Sequence, residues 1–174
     1  DGDLLARLRE RGRGRLVGVD VSTAFIAATM QQGVDAIDCD LNLGLPEFHD
    51  GSFDYVVISE TLQVVPNVER LLEDSLRVGK RAIVSFANFG YEALRNMFAD
   101  AGRVPKAPGP YGFDWYDTPN RRFPSIQDML DLCEKMNVTV EDARYYDDGK
   151  GIRVEPTEDP NLKADTAVLV LRKH

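Results

Sequence analysis

At 174 residues and 43% hydrophobic, the chain is long enough for one compact domain around a single core and short for two. Its formal net charge of -8 argues against a nucleic-acid partner, and the densest basic run, Arg7 to Arg15, still contains Glu10. No stretch approaches the ~18 uninterrupted apolar residues of a membrane span and nothing resembles a signal peptide, so a cytoplasmic protein with no membrane partner is expected.

The chain opens Asp1-Gly2-Asp3 without an initiator methionine, directly on a helical pattern, and an N-terminal segment is expected to be missing. From Asp3 to Arg11 the residues Leu4, Leu5 and Leu8 share one helical face, and Gly12 is a natural stop. Leu16-Val17-Gly18-Val19, closed by Asp20, reads as a buried parallel strand. Ser22 caps a helix expected to bury Phe25, Ile26 and Met30 and to end at Gly33, and Ala36-Ile37 begin a strand running to about Asp40. After a Gly/Pro-bearing loop, the run from Asp54 to Ser59 is the most strand-like in the chain. A helix from near Asn67 follows, with Val68, Leu71, Leu72 and Leu76 inward and Gly79 at its end.

Arg81 to Phe86 reads as another buried strand, and the helix after it places Leu94, Met97 and Phe98 on one side. Residues 103 to 124 are too irregular for an element and too aromatic for a linker. Ser125-x-x-Asp128 resembles a capping box for a helix burying Ile126, Met129, Leu130 and Cys133. Two strands, about Val138 to Tyr146 and Thr166 to Leu171, close the chain as an antiparallel hairpin around a polar loop. Cys39 and Cys133, without Cys-x-x-Cys spacing, read as small core residues in a reducing compartment. The alternation of strand and helix predicts an α/β fold: a doubly wound, mostly parallel sheet with a C-terminal antiparallel hairpin, in one domain over residues 1–174.

In such a sheet the ligand crevice lies at the carboxyl ends of the strands, where Asp20, Asp40 and Glu60 stand. A carboxylate offers two acceptor oxygens in one plane, so Asp20 suits a pair of ribose hydroxyls, and Asp40 suits an adenine amine with Leu41 packed on the ring. A ribose is common to dinucleotides and S-adenosylmethionine, so these residues alone leave a nicotinamide-dependent oxidoreductase open. Tyr116, Asp117 and Asn120 suit a small polar acceptor; alternatively Trp115 and Tyr116 fill the core while Asp117 and Asn120 satisfy turn backbone beside Thr118-Pro119. His49 sits in a polar turn and His174 is the last residue, so neither is well placed for acid/base work.

The terminal hairpin, the single-unit length and Phe53-Asp54-Tyr55-Val56-Val57-Ile58-Ser59 resemble class I S-adenosylmethionine-dependent methyltransferases, whose seven-stranded Rossmann-like sheet this chain would show without its first strand. Three stretches sharpen the likeness: Ser59 to Gln63, Leu76 to Gly90, and Trp115-Tyr116-Asp117-Thr118-Pro119-Asn120. Over residues 1 to 146 the chain resembles the MetW family of methionine-biosynthesis proteins. Where members of that family commonly read Asn-x-His-x-Cys-Thr, this chain reads Asn120-Arg121-Arg122-Phe123-Pro124-Ser125, so a histidine is replaced by arginine.

The resemblance implies a methyltransferase-like protein that binds S-adenosylmethionine and acts with homoserine O-acetyltransferase. It assigns Asp1, Gly2, Asp20, Val21, Asp40, Leu41 and Ser59 to the cofactor, with Asp1-Gly2 as the tail of a glycine-rich turn. Glu60, Trp115, Tyr116, Asp117 and Asn120 fall to the acceptor. No metal ligand set and no catalytic residue is identified. A small-molecule methyltransferase with its own acceptor, and a non-catalytic interaction module, are the other readings.

Overall fold

The computed structural model describes residues 2–12, 14–106 and 112–174. The chain divides into two compact units, Asp1–Pro46 and Glu47–His174.

The first unit runs α1 (Asp3–Glu10), β1 (Val17–Asp20), α2 (Thr23–Gln31), β2 (Asp35–Asp38) and a 3-10 turn at Leu41–Leu43. β1 and β2 pair in parallel with Asp20 opposite Asp38, so both strands finish on the same edge. Ser22 caps α2 as its position predicts, its hydroxyl accepting from the Phe25 N–H. The expected buried face of α2 is a correction: Phe25 and Met30 are exposed and Thr29 is the buried residue. With Ala24, Ala27 and Ala28 beside Phe25, Ile26 and Met30 the helix is apolar on most of its circumference, so apolar character selects no face and the side facing β1 and β2 prevails. β2 ends at Asp38, two residues before the expected Asp40, because Asp40 turns the chain by accepting from the Asn42 N–H.

The second unit holds β3 (Phe53–Ser59), α3 (Val68–Val78), β4 (Gly79–Ala87), α4 (Glu92–Ala99), α5 (Ile126–Lys135), β5 (Val138–Asp147), β6 (Ile152–Val154), α6 (Pro160–Lys163) and β7 (Thr166–Lys173). Among the described residues its five strands lie in the order β3-β4-β7-β5-β6. β3 and β4 are parallel, whereas β4–β7, β7–β5 and β5–β6 are antiparallel, giving a mixed sheet. Crossover helices enforce parallel pairing only where they occur, and β7 enters between β4 and β5 from the opposite direction. The β5/β7 pairing is the expected hairpin, but the polar segment between its strands is not an irregular loop throughout: it carries β6 on the sheet edge, a 3-10 turn at Pro156–Glu158 and α6. Ile152-Arg153-Val154 is too short for its alternation to stand out of polar surroundings.

The core of this unit is built on β4 and β7. Ala82 faces Leu171, Val84 faces Leu169 and Phe86 faces Ala167, and all six are fully buried. Small opposite large at the two outer pairs fills the layer evenly. α3 adds Leu71, Leu72, Leu76 and Val78, each worth roughly 1.5 to 3 kcal/mol of transfer free energy. Asn67 caps this helix, accepting from the Arg70 N–H. Gly79 does not end α3 in a loop: it is already the first residue of β4, and a Cβ there would sit 2.8 Å from Val56 Cγ2. In α4 Leu94 is buried as expected, but Phe98 is exposed and corrects the predicted face. α5 starts with the capping box its spacing predicts, Ser125 and Asp128 each accepting from the other's backbone N–H. Cys39 and Cys133 are both buried, and burial pushes the Cys133 thiol up to about 11.

One buried carboxylate makes part of the stability depend on pH. Asp147 at the end of β5 accepts from Lys150 Nζ at 2.6 Å, the Lys150 N–H at 3.0 Å and the Tyr91 hydroxyl at 3.2 Å. Burial works against its charge, but these bonds outweigh it and hold the carboxyl below its ordinary value. Its stabilisation is therefore complete above the ordinary carboxylate range, near ~4, and is lost as pH falls through the depressed value. Asp147→Asn is expected to be less stable than the parent in urea unfolding at pH 7, with the gap narrowing at pH 3. A gap independent of pH would rule this role out.

Candidate functional site

The residues singled out in the sequence divide between the two units. In the first, Asp20 and Asp40 follow the carboxyl ends of adjacent parallel strands, linked by a bond from the Cys39 N–H to the Asp20 carbonyl at 3.1 Å. Each carboxylate already serves its own turn. Asp20 Oδ1 accepts from the Ser22 N–H at 2.8 Å and Asp40 Oδ1 from the Asn42 N–H at 2.9 Å. That fixes the orientation of both groups, while Oδ2 of each has no partner among the described residues. Asp20 is half-buried and Asp40 exposed, beside an exposed Val21 and a half-buried Leu41.

Gly2 precedes α1 with φ +83°, and a Cβ on it would lie 2.7 Å from Thr29 Oγ1. Only glycine satisfies both the left-handed backbone and that approach. Asp1, also assigned to the cofactor, lies outside the described residues.

In the second unit Ser59 closes β3 and is exposed, and Glu60 follows with φ +48°, a strained backbone for a residue with a side chain. The Glu60 N–H donates to the Ser85 carbonyl at 3.1 Å and the Ser85 hydroxyl at 3.2 Å, anchoring the turn on β4. The carboxyl accepts from Gln63 Nε2 at 2.9 Å. Burial pushes this carboxyl above its ordinary value; the Gln63 and Ser85 hydrogen bonds oppose that, the Asp148 charge adds to it, and the Ala87 N–H opposes it. Among the described residues Glu60 has no ion-pair partner.

Gln63 is 2% exposed, and its carbonyl accepts from the backbone N–H of Arg121 at 2.7 Å and of Arg122 at 3.1 Å. The Arg122 guanidinium also donates to the Pro66 carbonyl. Arg122 is thus engaged with backbone. These contacts tie the end of the aromatic segment to the Glu60 turn. Within that segment Trp115 and Tyr116 are 73% and 71% exposed and meet edge to face, so they do not fill the core. The Asp117 N–H donates to the Asp114 carbonyl, and the Asn120 N–H to the Thr118 hydroxyl, as turn backbone does. Residues 107–111 of this stretch lie outside the described residues.

Gln63, Ser85 and Asp148 were not singled out as site residues. Gln63 had one visible signal, an amide three positions after a carboxylate in a turn; Ser85 and Asp148 come from other elements and had none.

Among solved structures, an S-adenosylmethionine-dependent methyltransferase from Mesorhizobium loti matches 99% of this chain and 86% of its own, at 18% identity and a TM-score of 0.70. One from Archaeoglobus fulgidus matches 99% of this chain and 81% of its own, at 12% identity and a TM-score of 0.66. The fold is therefore that of the S-adenosylmethionine-dependent methyltransferases, an α/β fold with a mixed sheet.

Residues 1–171 match the family described as methionine biosynthesis protein MetW, and the chain belongs to that family. It is 49% identical over 181 residues to the bifunctional methionine biosynthesis protein MetXA/MetW of Rhodopirellula baltica. The match takes in 99% of this chain but spans only 29% of the relative's length. Among the described residues no helix is long and apolar enough to cross a membrane.

Proposed function

We propose that this protein binds S-adenosylmethionine and works in methionine biosynthesis beside homoserine O-acetyltransferase. The observation that carries the cofactor reading is the pair Asp20 and Asp40 at neighbouring strand ends, each held by one oxygen and free to accept with the other. The group fits that donor set: two ribose hydroxyls need a fixed carboxylate, and an adenine amine needs an acceptor beside an apolar surface such as Leu41. Gly2 is proposed as a further backbone contact. Ser59 and Val21 are proposed as further contacts, and Glu60, Trp115, Tyr116, Asp117 and Asn120 as the acceptor side.

S-adenosylmethionine carries the reactivity for methyl transfer in its sulfonium, so the chain's own residues need only bind, orient and exclude water. The partner reading is supported by the relative whose name joins MetXA and MetW in one chain. Calorimetric titration with S-adenosylmethionine and S-adenosylhomocysteine, with nicotinamide dinucleotide as control, tests the cofactor. Saturable binding of the first two alone is expected; binding of the dinucleotide alone would overturn it. Copurification with the acyltransferase, with a change in that enzyme's activity, tests the partner.

The exposed Trp115 and Tyr116 favour a second reading, a methyltransferase whose small acceptor rests on the aromatic segment. Transfer of labelled methyl from the cofactor to a metabolite pool, without the acyltransferase, would establish it.

A further inference from the structure

We infer that the turn after β3 forms a receptor for a primary ammonium group, with Glu60, the Gln63 side-chain oxygen and Asp148 as its acceptors. The inference deepens the acceptor side of the proposed function and rests on that reading only in placing Glu60 there.

The argument starts from an imbalance in hydrogen bonding. Gln63 is almost wholly buried, its Nε2 donates to Glu60 Oε2, and its Oε1 has no partner. Both heteroatoms stand on one carbon, so the orphaned oxygen is buried close to the Glu60 carboxyl. Rotating the amide to exchange oxygen and nitrogen would only move the orphan to the other atom. A buried polar atom left without a partner costs about 1 to 3 kcal/mol, and a ligand that satisfies it removes that cost.

Charge points the same way. Glu60 is half-buried and lacks a counter-ion among the described residues, and the charge that acts on it is that of another carboxylate, Asp148. Asp148 is held in place from the adjoining strand. Ala87, whose N–H serves the Glu60 carboxyl, lies opposite Thr166 in the β4–β7 pairing, and the Thr166 hydroxyl donates to Asp148 Oδ2 at 2.9 Å. The Glu60 carboxyl and the Gln63 carboxamide oxygen, with the Asp148 charge acting on the same turn, therefore leave acceptors in excess. A group with several N–H donors and a positive charge completes that set, and a primary ammonium supplies three donors from one atom. A divalent metal is the poorer fit, since among the described residues no group of three or more His, Cys, Asp and Glu is arranged to hold one. The left-handed backbone of Glu60 and its double anchor on Ser85 keep the carboxyl turned to this place in the free protein.

The test is an NMR titration of the isotopically labelled full chain with n-butylamine hydrochloride and, in parallel, with n-butanol at the same pH. The Glu60 amide and the Gln63 side-chain amide are the reporters. Butylammonium is expected to shift both saturably and butanol neither. Glu60→Gln keeps shape and hydrogen bonding but removes the charge, and is expected to weaken butylammonium binding about tenfold or more. Should that variant misfold, Asp148→Asn, an exposed change, is expected to weaken it severalfold with the spectrum otherwise preserved.

The proposal is overturned if butanol shifts the reporters equally, if the parent gives no saturable response, or if Asp148→Asn leaves binding unchanged. Repeating the titration with saturating S-adenosylhomocysteine identifies the source of the ammonium. Retained binding means a separate amine ligand, and competition means the cofactor's own amino group. Failure of cofactor binding in calorimetry would strike the proposed function and leave this receptor standing.

Discussion

Replacing Asp20 with alanine is expected to weaken S-adenosylmethionine binding by about 1 to 3 kcal/mol, a loss of roughly five- to 150-fold in affinity. The size follows from what the side chain does. Oδ1 is committed to the Ser22 N–H, so the group neither rotates nor has to be ordered when a ligand arrives, and Oδ2 is left to accept from it. Alanine removes the acceptor and its orientation together. Asn in the same place retains an acceptor for Ser22 but not the charge, and is expected to fall between parent and alanine. Calorimetry on variants whose unfolding curves match the parent's is the measurement; a folded Asp20→Ala with parental affinity would defeat the assignment.

Asn88→Ala is expected to be the most damaging small substitution in the second unit. Asn88 is fully buried just beyond β4 and makes four hydrogen bonds to backbone. Its Nδ2 donates to the carbonyls of Asn161 at 3.0 Å and Ala164 at 2.7 Å, and its Oδ1 accepts from the N–H of Gly90 at 2.9 Å and Ile126 at 3.0 Å. One carboxamide thus joins the chain ahead of α4, the first residue of α5 and the end of α6. Alanine strands four backbone groups, and a loss of about 3 kcal/mol or more is expected in urea unfolding. Asn88→Asp tests the polarity: it keeps the two acceptances but turns a carboxylate toward two carbonyls, so it should fare no better. Asn96→Ala, on the exposed side of α4, serves as control and should stay within about 0.5 kcal/mol of the parent. A drop for Asn88→Ala no larger than the control's would show the hub to be dispensable.

These two residues differ in how visible they were. Asp20 could be read because an acidic residue closing an apolar run before a capped helix is a local pattern, and the fold then assigns strand ends to ligands. Asn88 sat inside a stretch matched to the family, but nothing in its neighbours announces four partners drawn from positions up to 76 residues away. The capping box at Ser125, the cap at Asn67 and the inward face of α3 were legible for the same local reason as Asp20. Phe25, Met30 and Phe98 misled because apolar character marks what can be buried, while a helix packed on one side has room for only part of it. The candidate ammonium site shows the limit from the other direction. Glu60 stands at a strand end, yet the chemistry depends on Gln63, Ala87 and Asp148, which act on it only once β4, β5 and β7 are assembled.

The join between α3 and β4 bears on how the second unit opens. With Gly79 serving as the residue after the last helical turn and the first of the strand, and with its bare Cα pressed against Val56 on β3, there is no slack between the two elements. A helix can fray from a sheet when a loop absorbs the motion; here the last turn of α3 cannot unwind without pulling on β4 in the centre of the core. Amide hydrogens at the end of α3 should therefore exchange with the slow protection of the β4 strand, through one shared unfolding event, while those of α4 beyond Asn88 exchange through smaller and more frequent openings.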